Sequence, residues 1–186
     1  MTNEEYKQER NLSWHTLADC GINSLPVSLS AICRHYNIYI VKNSSLKTSQ
    51  LKENQRGKSG TYQGKQIIIV RDTDPIEVQR YTIAHEIRHF LGDEGVTERQ
   101  AERFAIGILA PSCVLWALNI HEPEDIAKLC KISITAARIK AKRMADLYHR
   151  EQEWLKTKGF SCFLLTDLER KVYEQFKPFI DEYKNY

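Results

Sequence analysis

Residues 80–111 read RYTIAHEIRHFLGDEGVTERQAERFAIGILAP. His85 and His89 stand four positions apart in a run where Val78, Tyr81, Ala84, Ile87 and Leu91 recur at helical spacing. Residues i and i+4 share one face of a helix, so both imidazoles reach a single ion. Glu86 is rotated away from that face, yet stays close enough to reach a water beside the ion. Hydrolysis needs this arrangement. A zinc ion draws the pKa of water towards neutrality, and a carboxylate takes the proton and returns it to the leaving amine. The apolar pattern of the helix also implies burial, and buried imidazoles beside a carboxylate need a partner. The spacing therefore assigns His85 and His89 as metal ligands and Glu86 as general base.

A tetrahedral zinc site takes a third protein ligand and leaves one position for water. The extended pattern with histidine six residues after His89 is excluded, because Gly95 stands there. The run Thr97 to Glu102 is the better source. Glu98 and Glu102 are again i and i+4, on a second helix with Thr97 as its N-cap. A Gly-containing turn lets this helix fold back and present carboxylates to the histidines. Glu98 leads on this reading and Glu102 follows, with Asp93 and Glu94 left open. Carboxylates in a first helical turn also favour the helix dipole without any metal.

The runs RYTIAHEIRHFLG and ERQAERFAIGILAP closely resemble the ImmA/IrrE metallopeptidases. Position by position, the resemblance puts that family's metal histidines on His85 and His89, its catalytic glutamate on Glu86 and its third ligand on Glu98. It implies one zinc ion per chain and an α+β, zincin-like core of the gluzincin type. In that core a small sheet from the first 75 residues packs beside the active-site helices. It also implies the substrate class, a helix-turn-helix repressor of a phage or mobile element, cleaved to relieve repression. The chain departs from the pattern at Gln100, where Glu is usual, at Glu102, where Asn is usual, and at Ala110, where Met is usual.

Outside this stretch, residues 1–13 read as a polar, frayed segment. Pro26 suits the first turn of a helix reaching about Tyr36. IYIV after Asn37 and QIIIV at 66–70 read as strands, the second buried because its isoleucines are contiguous. Between them lies a polar loop with one short strand at most. Pro111 opens a short helix to about Leu118. FSCFLL, at 160–165, reads as a strand, and Asp167 as the cap of a last helix with Val172, Phe176 and Ile180 inward.

Residues 123–131 and 134–149 form a helix pair with Ser133 between them. Ala127, Ile132, Ser133 and Ala137 fit a helix-turn-helix, while Lys131 takes the position where glycine is usual. Arg138, Lys140, Lys142 and Arg143 make the second helix basic. A packed hairpin with a solvated basic face is favoured over direct DNA binding. The domains expected are a metallopeptidase core at 1–120, a helix-turn-helix-like segment at 121–150 and a short C-terminal appendage at 151–186. His121 is a candidate for the cleft wall, and Tyr62 and Tyr81 for oxyanion stabilisation. His15, His35 and His149 read as surface residues.

The whole chain of 186 residues carries a net charge of only +3, which argues against a general nucleic-acid binder. Its five cysteines are scattered and form no CxxC pair, so free thiols in a reducing cytosol are the simplest reading. Neither a signal peptide nor a transmembrane helix is indicated, and the protein is expected to be cytoplasmic. Two functions follow for test: a zinc endopeptidase acting on a repressor, or a regulator that binds DNA or a repressor without cleaving. An intact Glu86 favours the peptidase.

Overall fold

The computed structural model describes residues 3–92, 95–158 and 166–185. Helices dominate: α1 Asn3–Asp19, α2 Leu29–His35, α3 Ile76–Arg88, α4 Glu98–Leu109, α5 Ser112–Ala117, α6 Pro123–Cys130, α7 Ile134–Lys158 and α8 Asp167–Lys184. The strands are β1 Ile38–Lys42, β2 Gly57–Tyr62 and β3 Lys65–Val70, ordered β1-β3-β2. β1 runs parallel to β3, with Ile40 opposite Ile68, and β2 runs antiparallel to it, with Ser59 opposite Ile68. The class is thus α+β, mostly helical with a small sheet. β3 is central and carries the buried Ile68, Ile69 and Val70, as its contiguous apolar run requires.

The N-terminal segment is the largest correction. Residues 1–13 were expected to fray, but α1 begins at Asn3 and packs on α4. Glu9, Ser13 and Thr16 are buried beside Trp14 and Leu17. Ser13 meets α4 at Gly107, where an added Cβ would lie 2.7 Å from Ser13 Oγ. Glu9 faces Arg88, the unassigned position inside HEIRH. Arg88 Nε donates to Glu9 Oε2 at 2.7 Å and its Nη2 to Oε1 at 2.8 Å, while Nη1 donates to the Leu91 carbonyl. A polar helix is therefore held down by a buried two-pronged ion pair, invisible to hydrophobic periodicity.

Other boundaries shift for local reasons. α2 starts at Leu29 rather than at Pro26, because the Ser28 hydroxyl accepts from the Ala31 amide as N-cap. α3 ends at Arg88, and His89 forms its C-cap. Thr97 does cap α4, and its capping box is completed by Gln100, whose Oε1 accepts from the Thr97 amide at 2.9 Å. Thr166, not Asp167, caps α8, since its hydroxyl accepts from the Glu169 amide. Val172, Phe176 and Ile180 of α8 enter the common core, as their spacing predicts. The expected strand at 160–165 lies outside the described residues.

Lys131, between α6 and α7, adopts the left-handed conformation (φ 50°, ψ 58°) that favours glycine. Ser133 then accepts from the Ala136 amide at the start of α7. Arg80 of α3 anchors this turn: its Nε donates to the Lys131 carbonyl at 3.2 Å and its Nη2 to the Val27 carbonyl at 2.9 Å. A cation at the end of α6 also suits the helix dipole. The first residue of the decisive stretch thus ties α3 to the helix pair. The basic stripe on α7 is not uniformly solvated, because Lys140 is only 5% exposed. No helix among the described residues is long and apolar enough to cross a membrane.

Candidate metal centre

α3 and α4 pack against each other and bring three predicted side chains together. His85 Nε2 lies 3.1 Å from Glu98 Oε2, and His89 Nε2 lies 4.0 Å from Glu98 Oε1. One donor atom from each of the three residues lies within 4.8 Å of the others. The two imidazoles share the face expected of i and i+4, with ring centroids 5.3 Å apart. His85 and His89 are partly shielded, whereas the Glu98 side chain is 80% exposed.

This donor set suits zinc. Bonds of about 2.0 Å in a tetrahedron place neighbouring donors about 3.3 Å apart, so Glu98 and the histidines need only small adjustments to close on one ion. Two imidazoles and one carboxylate would leave a fourth position open on a tetrahedral ion, unlike the closed, cysteine-rich sets of structural zinc sites. Glu102 is exposed and lies outside this group among the described residues. The alternatives Asp93 and Glu94 lie outside the described residues.

Glu86 is directed to the opposite wall. Its Oε2 accepts from Ser59 Oγ on β2 at 2.6 Å. The bond fixes one carboxylate oxygen and leaves the other for a water. Ser59 was missed by sequence reasoning, since it lies 27 residues from Glu86 in a stretch read as loop. Neighbouring Gly57 explains how β2 comes so close to α3. A Cβ there would stand 2.3 Å from Thr82 Cγ2 and 3.6 Å from Glu86 Cγ. Thr82 is buried and cannot withdraw freely. Gly57→Ala is therefore expected to cost about 1–3 kcal/mol by overpacking, read as a lowered urea midpoint with an unchanged slope.

The cleft measures about 530 Å³, and its walls include Arg56, Lys58, Ser59, Tyr81 and Thr82 besides the metal-ligand candidates. Burial and the Glu102 charge push the Tyr81 phenol up to about 12, so it remains a proton-bearing donor at neutral pH. Tyr62, by contrast, is 63% exposed and lies outside the cleft lining. His121 also lies outside the cleft: its ring packs at a tilt against Trp116 with centroids 4.4 Å apart, and its Nε2 hydrogen-bonds Asn119 Oδ1. Cys33, Cys113 and Cys130 have thiols pushed up to about 12 by burial. Such thiols are poor nucleophiles, so cysteine-based hydrolysis finds no support in them.

Among curated proteins, no sequence matches the chain. A family model does: the IrrE N-terminal-like domain, Peptidase M78, matches residues 33–142, from α2 into α7. That span is more than half of the sequence and contains every residue of the centre just described. The chain belongs to the Peptidase M78 family, the metallopeptidases of the IrrE and ImmA type, and family membership implies protease activity.

Proposed function

We propose that the protein is a zinc-dependent endopeptidase that cleaves a helix-turn-helix repressor of a phage or mobile element. The observation that carries the peptidase reading is the convergence of His85, His89 and Glu98 beside a Glu86 carboxylate fixed by Ser59. His85, His89 and Glu98 hold the metal, one per chain. Bound there, zinc supplies Lewis acidity towards the scissile carbonyl and makes a neighbouring water acidic. Glu86 takes a proton from the attacking water and passes it to the leaving amine. The Ser59 hydroxyl keeps that carboxylate oriented, and the Tyr81 phenol donates to the oxygen on which negative charge develops.

The substrate class rests on the family resemblance, and one structural feature supports a protein substrate. A second groove, walled by Ser133 and by Thr135 and Ile139 of α7, shares Arg56 and Tyr81 with the proposed catalytic cleft. The face of α7 that a helix-turn-helix protein would offer to DNA thus lines a groove that adjoins the cleft at Arg56 and Tyr81. We place the peptidase core at 1–120, the helix pair at 121–150 and the appendage at 151–186, in a cytoplasmic protein.

Co-expression with candidate repressors tests this function. The wild type should generate a discrete repressor fragment, and a His85→Ala variant should generate none. If the wild type relieves repression without any fragment, the non-cleaving regulator is the correct reading.

The ligand assignment is tested separately. Glu98→Ala should weaken zinc binding by about tenfold or more, and Glu102→Ala by far less, since losing a ligand outweighs losing a neighbour. Competition with a zinc-responsive chelator measures both. The reverse order would move the ligand role to Glu102.

A further inference from the structure

Val78 and Tyr81 of α3, Ile106 of α4, and Ala136 and Ile139 of α7 line one groove of about 580 Å³. Ile139 is 63% exposed, and the other four are partly buried. A single exposed isoleucine is ordinary, but apolar side chains from three helices that converge on one open groove mark a place where something apolar docks. The lining also carries both signs of charge, with Glu77 and Glu102 as well as Arg56 and Arg99, so charge does not decide what the groove takes.

The groove is continuous with the cleft, because Arg56 and Tyr81 belong to the walls of both. Its distance from the metal-ligand candidates follows from the helices. Val78 precedes His85 by seven positions on α3, which is about 10 Å at the helical rise. Ile106 follows Glu98 by eight positions on α4, which is about 12 Å. Both helices therefore place the apolar lining about 10–12 Å from the residues grouped around the metal position. A peptide crossing the cleft must be free of its own helical hydrogen bonds for water to approach the scissile carbonyl. An extended chain advances about 3.3 Å per residue, so 10–12 Å is a span of about three to four residues.

We propose that this groove is a specificity subsite that seats an apolar side chain of an extended peptide substrate, three or four residues from the scissile bond, against Ile106, Ala136 and Ile139. The proposal rests on the peptidase reading and adds to it what the substrate must carry. Main-chain contacts hold an extended peptide, and pockets for single side chains choose among sequences. An exposed Ile139 on α7 then has a partner in the substrate rather than in the core.

Digestion of a mixed library of unstructured peptides by the zinc-loaded wild type tests the subsite, with the cut sites read by mass spectrometry. Leu, Ile, Val, Phe or Met should be enriched at the third or fourth residue on one side of the cut bond, and Ile139→Asp should lose that enrichment. On the best single peptide, Ile139→Asp should raise KM by about tenfold or more with kcat unchanged, as expected when a contact that binds substrate and transition state alike is lost. Replacing the apolar residue of that peptide by Asp should raise the wild-type KM similarly. The two changes together should cost less than their sum, because both remove one contact. If Ile139→Asp fails to fold, Ile139→Ser should show the same loss in smaller measure. Cutting that Glu86→Gln abolishes, but without apolar enrichment at those positions, with enrichment retained in Ile139→Asp, or with additive effects in the paired changes, would overturn the subsite and leave the peptidase standing. Absence of any cutting, of library or of co-expressed repressor, would overturn the peptidase reading and the subsite with it.

Discussion

Replacing Glu86 by glutamine is expected to lower peptide hydrolysis by about 10²–10⁴-fold while leaving the fold and the zinc content intact. The amide keeps the size of the carboxylate but cannot take a proton from water. Glutamine can still bond the Ser59 hydroxyl, which lies 2.6 Å from Glu86 Oε2, so the wall between α3 and β2 should survive. Because Glu86 is not among the residues grouped around the metal position, the ion should remain. The substrate surfaces also remain, so the variant should bind the repressor and release it uncut. Ser59→Ala should give a smaller loss, confined to turnover, because it frees the carboxylate without removing it. Initial rates of fragment formation at saturating repressor separate the two variants. A Glu86→Gln enzyme that cuts at the wild-type rate would contradict the assignment of the base.

Breaking the ion pair between Arg88 and Glu9 should give the largest stability change. Both side chains are almost fully buried, and the guanidinium meets the carboxylate through two bonds of 2.7 and 2.8 Å. Arg88→Met strands Glu9 without its partner, and leaving a charge buried costs about 3–5 kcal/mol. For a chain of this size each kcal/mol corresponds to about 2–4 °C in Tm. Calorimetry should therefore record a fall of about 6–20 °C. Adding Glu9→Leu to Arg88→Met should recover much of the loss, because the stranded charge is then gone. A double variant no more stable than Arg88→Met alone would show that the pair acts through packing rather than through charge. The change also bears on function: Arg88 immediately precedes His89, so loosening α1 loosens the end of the helix that holds the second imidazole.

The grouping of His85, His89 and Glu98 was legible because its pattern is local. His85 and His89 are read from a four-residue spacing, and Glu98 from its place in the first turn of the next helix. The helices of the core followed from periodicity, and β3 from its run of isoleucines. What escaped the sequence depends on contacts between distant segments. Ser59 looked like one more polar residue in a loop, and nothing in GKSGTY signals a strand that meets Glu86. Glu9 lay in the segment read as frayed and Arg88 drew no reading, although the two are buried and paired with each other. α1 was consequently mistaken for a frayed end. Lys140 was grouped with its basic neighbours on α7, because a basic stripe is usually solvated and its core position disagrees with its charge. Gln100 ran the other way. It departed from the family pattern, but its place three residues after Thr97 is the signature of the capping box that it forms.

Zinc content tests the central claim most directly. Protein purified without chelators after growth with zinc, and then dialysed, should carry about one zinc per chain by elemental analysis. Glu86→Gln should carry the same amount, and His85→Ala and His89→Ala should carry almost none while remaining folded. Wild-type protein free of zinc, or a His85→Ala variant that keeps a full equivalent, would contradict the placement of the metal between α3 and α4, and with it the peptidase mechanism built on that site.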